Sequence, residues 1–303
     1  MNAVSMHAFR RRALLPFRLA FTAFAFALFG LGGIVFGFFL TPWLKMAGGT
    51  PEEKKSLARR VVKRWFGLFV SVVTSLGLVR IEVKNPEAFQ KKGAILAANH
   101  PSLIDIVCLL SIVPEATTIV KASLLKNWFT RAPILGAGYI PNDAGPEALV
   151  LLEAELSRGV SFVIFPEGTR TPIQLSEMPK MHRGTAQLAL HANRPITPVR
   201  ISAHPRWLTK DAVWWRLPQE PMVLTFEALP EIDVQTFQKT YNQSFRRAAV
   251  ELTNAVGRAL FPHLRVKRSR DQGCACPPPK SFTFRESIQP WTIPLSANCS
   301  TLS

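Results

Sequence analysis

Hydrophobic and polar positions divide the chain into two regimes. From residue 19 to residue 44 no side chain is charged. That is longer than the roughly 20 apolar residues that cross a bilayer core, so the stretch reads as a membrane anchor. Gly30, Gly32, Gly33 and Gly37 are expected to loosen it, which leaves open whether it spans or bends back. A secretory signal peptide is the alternative, but its apolar region is usually shorter and no small-residue cleavage site follows Leu44. Thr50-Pro51-Glu52-Glu53 then offers a helix start, with Thr at the N-cap, Pro at the first position and Glu at the third. The helix after it is basic at first (Lys54, Lys55, Arg59, Arg60, Lys63, Arg64) and apolar from 65 to 79. Such a helix suits an interface with its cations at lipid phosphates; packing on a sheet is the alternative.

Beyond residue 79 the period changes. Short apolar runs at 79–84, 94–98, 117–121, 160–165, 196–201 and 222–228 read as strands. Helical segments at 102–112, 146–158, 184–192 and 236–260 alternate with them. The pattern predicts an α/β domain, a mixed β-sheet flanked by helices, behind an N-terminal membrane-associated helical pair. The expected organisation is anchor and interfacial helix over 1–79, one catalytic domain over 80–262, and a disordered basic, Pro-rich tail over 263–303.

A formal charge of +17 and a pI near 10.4 favour anionic partners. The cations are not arranged as a nucleic-acid module, so no nucleic-acid partner is expected. A bilayer surface fits better, because apolar segments sit beside the basic clusters. Lys121, Lys126 and Arg131 around Trp128 and Phe129, and Arg206 and Arg216 around Trp207, Trp214 and Trp215, make basic-aromatic stretches suited to a headgroup region. Four cysteines are too few and scattered for a disulfide framework. Cys108 reads as core, and Cys274, Cys276 and Cys299 fall in the tail.

Candidate chemistry lies where two of the apolar runs end. His100 leaves the 94–98 run at a turn, and Asp105 follows about one helical turn after Ser102. A carboxylate brought back to the imidazole would accept from Nδ1–H and leave Nε2 to take a proton from a substrate hydroxyl. The bland reading is a turn histidine and a helix-capping aspartate. The 160–165 run ends in Phe165-Pro166-Glu167-Gly168-Thr169-Arg170, at the same end of the sheet if the two strands are parallel. Open α/β sheets bind ligands there. A structural Glu167–Arg170 salt bridge is the alternative use of that turn. No Gly-x-Ser-x-Gly elbow, His-Glu-x-x-His, P-loop or dinucleotide-binding glycine pattern occurs.

Asn99-His100-x-Ser102-x-x-Asp105 and Phe165-Pro-Glu-Gly-Thr-Arg170 together resemble the glycerolipid acyltransferase family, typified by 1-acyl-sn-glycerol-3-phosphate acyltransferase. The resemblance covers roughly residues 50–229. It implies an O-acyltransferase in which His100 is the general base and Asp105 holds it. It places Asn99, Ser102, Glu167, Gly168, Thr169 and Arg170 at the substrate, with oxyanion donors near Ser102. It implies no metal and no cofactor, an acyl-carrier protein or acyl-CoA donor, and a lysolipid acceptor. It also implies a membrane location, taken as a bacterial inner membrane with the site facing the cytoplasm. In the family's third block an Arg thought to bind phosphate is usual where this chain has Pro141-Asn142. That departure keeps a lyso-ornithine or other phosphate-free acceptor, or a silent lipid-binding scaffold, as alternatives.

Overall fold

The computed structural model describes residues 15–264 apart from 47, 146 and 211. The expected tail, with Cys274, Cys276 and Cys299, lies outside the described residues. Seven strands form the sheet: β1 (Val79–Lys84), β2 (Ile95–Ala98), β3 (Ala116–Val120), β4 (Ile140–Pro141), β5 (Ser161–Ile164), β6 (Ile196–His204) and β7 (Met222–Ala228), in the order β1-β7-β6-β2-β5-β3-β4. From β6 to β4 all strands are parallel; β7 is antiparallel to β6, and β1 is parallel to β7. The sheet is mixed, as expected. Because β1 and β7 run against the rest, they begin at the end of the sheet where β2 and β5 finish.

Strand alternation assigns each side chain to a face. Leu96 and Ala98 of β2 and Val163 of β5 join one apolar cluster, whereas Ile95, Ala97, Phe162 and Ile164 join the other. The first face is covered by α1 (Leu15–Val35), α3 (Pro51–Ser75), α4 (Asp105–Ile112) and α5 (Trp128–Ala137). The second is covered by α6 (Glu147–Ser157), α7 (Gly184–Ala192), α8 (Val234–Thr240) and α9 (Phe245–Leu260). The closing helix expected over 236–260 is broken at Tyr241–Ser244, because Asp233 and Ser244 each supply a side-chain N-cap and start a helix of their own. The helix expected from 102 starts at Asp105 instead, since residues 102–104 form a turn.

The α3 start is as read from sequence. Thr50 and Glu53 form a reciprocal capping box, with Glu53 Oε2 accepting from Thr50 N–H at 2.8 Å and Thr50 Oγ accepting from Glu53 N–H at 3.2 Å. The segment Leu15–Leu44 is long and apolar enough to cross a membrane, by length and composition. It runs from α1 through a π-helical turn (Phe36–Leu40) into α2 (Thr41–Met46). The helix runs unbroken up to that turn, and Gly32 and Gly33 allow close approach. A Cβ on Gly32 would meet the Trp65 indole, and one on Gly33 would lie 2.5 Å from the Phe129 carbonyl oxygen. Phe17, Phe24, Phe38, Phe39 and Trp43 are exposed along the same segment.

α3 is tied to the sheet layer by a largely buried ion pair. The Arg59 guanidinium donates to Glu155 Oε2 at 2.8 Å and to the Ala137 carbonyl at 2.9 Å, with Lys55 and Arg158 around the same carboxylate. Those cations hold the Glu155 carboxyl below its ordinary range despite its burial. Removing one partner of a buried pair leaves the other uncompensated. Arg59→Met is therefore expected to lower unfolding stability by roughly 3 kcal/mol, the low end of the usual range because Lys55 and Arg158 remain. Thermal denaturation in detergent measures it, and Arg59→Met/Glu155→Leu should recover most of the loss.

Candidate active site

β2 and β5 are neighbours in parallel register, with Ala97 opposite Ile164, so the two polar turns leave the sheet side by side. His100 Nδ1 lies 2.9 Å from Asp105 Oδ2. The same oxygen accepts the Ser102 N–H at 2.6 Å, which fixes the carboxylate by a bond inside its own turn. Asp105 is fully buried and the His100 side chain is 16% exposed. Burial pushes the Asp105 carboxyl above its ordinary value, while the imidazole, the Ser102 N–H and the Arg170 charge pull it back. The imidazole stacks on Phe165 at 4.2 Å between centroids and 19° between planes. With Nδ1 turned to the carboxylate, Nε2 is the nitrogen left to act on a substrate.

The second turn positions the first. Glu167 Oε1 accepts the His100 N–H at 3.1 Å and the Thr171 hydroxyl at 2.7 Å. The Thr171 hydroxyl also accepts the His100 N–H at 2.9 Å, and the Thr171 N–H donates to the His100 carbonyl at 2.7 Å. Glu167 thus grips the backbone of His100 rather than pairing with Arg170. Burial raises its carboxyl, and the bonds from Thr171 and His100 oppose that. Its Oε2 is buried without a hydrogen-bond partner. Gly168 takes φ +63°, and a Cβ there would come within 3.0 Å of the His182 ring. Thr169 is half-buried in the same turn.

Two of the expected substrate residues, Asn99 and Arg170, have side chains committed to backbone partners. Asn99 accepts the Ile201 N–H at 2.7 Å and donates to the Ile201 carbonyl at 2.8 Å, extending the β2–β6 pairing by one side-chain rung. The Arg170 guanidinium donates to the carbonyls of Leu208, Thr209 and Lys210 at 3.0, 2.9 and 3.5 Å. Leu208 O also accepts the Leu103 N–H, so this loop closes over the His100 turn from the far side. Ser102 is fully buried, its N–H is given to Asp105, and its hydroxyl has no partner. The N–H groups of Ser102 and Leu103, expected near an oxyanion, are therefore committed within the fold. Asn142 receives the Ala122 N–H on its Oδ1 at 3.0 Å and gives its own N–H to Val120 O, joining the ends of β3 and β4. Cys108 is buried in the core, as expected.

Sequence reasoning did not single out Thr171 or the stacking face of Phe165, and it read the 206–216 stretch as facing a headgroup region, not as a brace for this site. Thr171 directly follows the second motif, which was the one available signal. The loop's link to the site had no local signal, since it is made through tertiary contacts. Among the described residues there is no cluster of His, Cys, Asp and Glu able to hold a metal.

Comparison with known proteins places this geometry. Residues 80–202 match the family model described as Acyltransferase. A 1-acyl-sn-glycerol-3-phosphate acyltransferase of Pseudomonas aeruginosa is 26% identical over 166 residues, 53% of this chain and 63% of that protein. A lyso-ornithine lipid O-acyltransferase of the same organism is 27% identical over 178 residues, 57% of this chain and 65% of that protein. The chain thus spans less than two thirds of either relative. The crystal structure of a 1-acyl-sn-glycerophosphate acyltransferase from Thermotoga maritima superposes with a TM-score of 0.59 at 20% identity, covering 83% of this chain and 97% of that one. It shares the fold. Both motifs meet at one end of the sheet inside residues 80–202, the segment that matches the Acyltransferase family model.

Proposed function

We propose that this chain is a membrane-associated O-acyltransferase that moves a fatty acyl group from an acyl thioester to the hydroxyl of a lysolipid. The observation that carries the reading is the His100–Asp105 contact, with Asp105 fully buried and held by the Ser102 N–H. His100 Nε2 takes the proton as the acceptor oxygen attacks the thioester carbonyl. The tetrahedral intermediate then expels the thiolate, which recovers that proton from the imidazolium. Asp105 stabilises the imidazolium electrostatically and fixes the tautomer. Glu167, Thr171 and Phe165 hold the ring and its backbone in place; Asn99 and Arg170 hold the strand end and the loop around it. Ser102, Gly168 and Thr169 shape the turns that face the substrate.

A cavity of about 660 Å³ between the N-terminal helices and the sheet layer suits the acyl chain. Val107 and Leu110, on the helix that begins with Asp105, line it together with Phe36, Phe66, Val120 and Ile134. The exposed apolar face of Leu15–Leu44 supports membrane association. The donor is a thioester of acyl-carrier protein or coenzyme A, whose anionic groups the +17 charge favours. The first acceptor to test is 1-acyl-sn-glycerol-3-phosphate, on the names of the relatives. A second reading, a lyso-ornithine lipid, is favoured by one observation: Asn142, which stands where an Arg is usual, is committed to backbone groups and presents no bidentate grip for phosphate.

Purified protein offered labelled acyl thioester with each acceptor should label at least one of them. His100→Ala should lower kcat by about two to four orders of magnitude, the worth of a general base. No labelled product from either lysolipid, with the fold intact, would reject the acyltransferase reading in favour of a silent scaffold. Asp105→Asn gives an independent check. Because burial raises the Asp105 carboxyl in the fold, it favours folding only while protonated, and that contribution is lost as pH rises through its folded value. The Asn variant should therefore match or exceed wild-type thermal stability at pH 8. The difference should fade as pH falls toward the ordinary carboxyl range, and activity should drop by about a hundredfold or more.

A further inference from the structure

The N-terminal helix carries one arginine whose contacts are only half explained. Arg18 Nη1 donates to the carbonyls of Pro218 and Gln219 at 2.8 and 2.9 Å, clasping α1 to the segment before β7. That clasp uses one nitrogen. Nε and Nη2, the edge with which a guanidinium grips two oxygens of an anion, are buried without any hydrogen-bond partner. Leaving buried donors unpaired is costly, the more so on a charged group. A clasp alone does not account for keeping them so.

The same arginine lines a cleft of about 710 Å³ bounded by α1, the end of α3 and the first residues of β1 and β7. Arg80, exposed on β1, lines it as well, with the Glu220 carboxylate on its wall. Its α1 side is apolar, with Phe17 at 62% and Phe21 at 39% exposure one helical turn apart. Cations in the lining, aromatic rings on one wall and an apolar helix leading away are the features of a site for a lipid phosphate with its acyl chains alongside. None of His100, Asp105 or the apolar cavity beside them lines this cleft.

We propose that the Arg18–Arg80 cleft is a second lipid site, distinct from the catalytic one, which binds the phosphate of an anionic glycerophospholipid. Nε and Nη2 of Arg18 take the phosphate oxygens, Arg80 adds charge at the mouth, and Phe17 and Phe21 cover the first methylenes. Nothing in this assignment depends on the acyl-transfer reading. It also gives the +17 chain a place to hold an anionic lipid without occupying the catalytic site.

Full-length protein in neutral detergent would be titrated with phosphatidylglycerol or with diacylglycerol, and retained lipid counted by native mass spectrometry. Wild type should retain phosphatidylglycerol and not diacylglycerol. Arg18→Lys keeps the charge but loses the two-oxygen grip, and should weaken retention about tenfold. Arg80→Ala, which leaves the clasp untouched, should weaken it by a smaller factor, about two- to fivefold. Both should keep acyl transfer to detergent-dispersed substrate. Equal retention by all three proteins, or retention of diacylglycerol as readily as phosphatidylglycerol, overturns the assignment. So does a loss confined to Arg18→Lys that tracks a lowered melting temperature, which would make Arg18 a clasp only. Displacement of the lipid by micromolar inorganic phosphate would mean a free-anion site and would also overturn it.

Discussion

The active end of this molecule depends on how the backbone of His100 is held. A histidine leaving a strand at a turn has several rotamers and no intrinsic reason to keep one. Here its N–H is shared by Glu167 and Thr171, its carbonyl takes the Thr171 N–H, and its ring rests on Phe165. All four contacts come from the turn that ends the adjacent parallel strand. The side chain is then finished from its own turn by Asp105. The two sequence motifs are thus one structural unit, and strand adjacency is what makes them so.

A second layer of support works at a distance. The segment after β6 sends Leu208 O to the Leu103 N–H and receives Arg170, while residues 218–219 further along receive Arg18 from the N-terminal helix. A single connection therefore braces the catalytic turn and the apolar helix. Phe26 against Trp214, 5.5 Å between ring centroids, adds to that bracing. The glycines at 32 and 33 bring the helix onto Trp65 and Phe129, so close packing rather than flexibility is their contribution.

Much of this was legible in the sequence, for physical reasons. Apolar runs bounded by turns marked the longer strands, and the Thr50–Glu53 box marked the α3 start, because both are local signals. The His100–Asp105 contact followed from spacing alone. What failed to show depends on tertiary partners. Nothing local says that Asn99 will pair with Ile201, or that Arg170 will be spent on three carbonyls rather than on a ligand. A motif identifies which residues matter without saying whether they touch the substrate or hold the residue that does. The break at Tyr241–Ser244 was missed because apolar periodicity ran on across a capping serine.

Under the proposed mechanism, the unequal burial of His100 and Asp105 has a kinetic meaning. Asp105 is sealed from solvent while the imidazole keeps a narrow exposed edge, so the pair exchanges protons with the outside through one nitrogen only. Whatever covers that edge closes the port. In the proposed acyl transfer, an acceptor seated over Nε2 would isolate the proton it had just surrendered, and the departing sulfur would be the next base to meet it. The buried carboxylate would then make the histidine a holding place for one proton per turnover, sheltered from buffer until the product left.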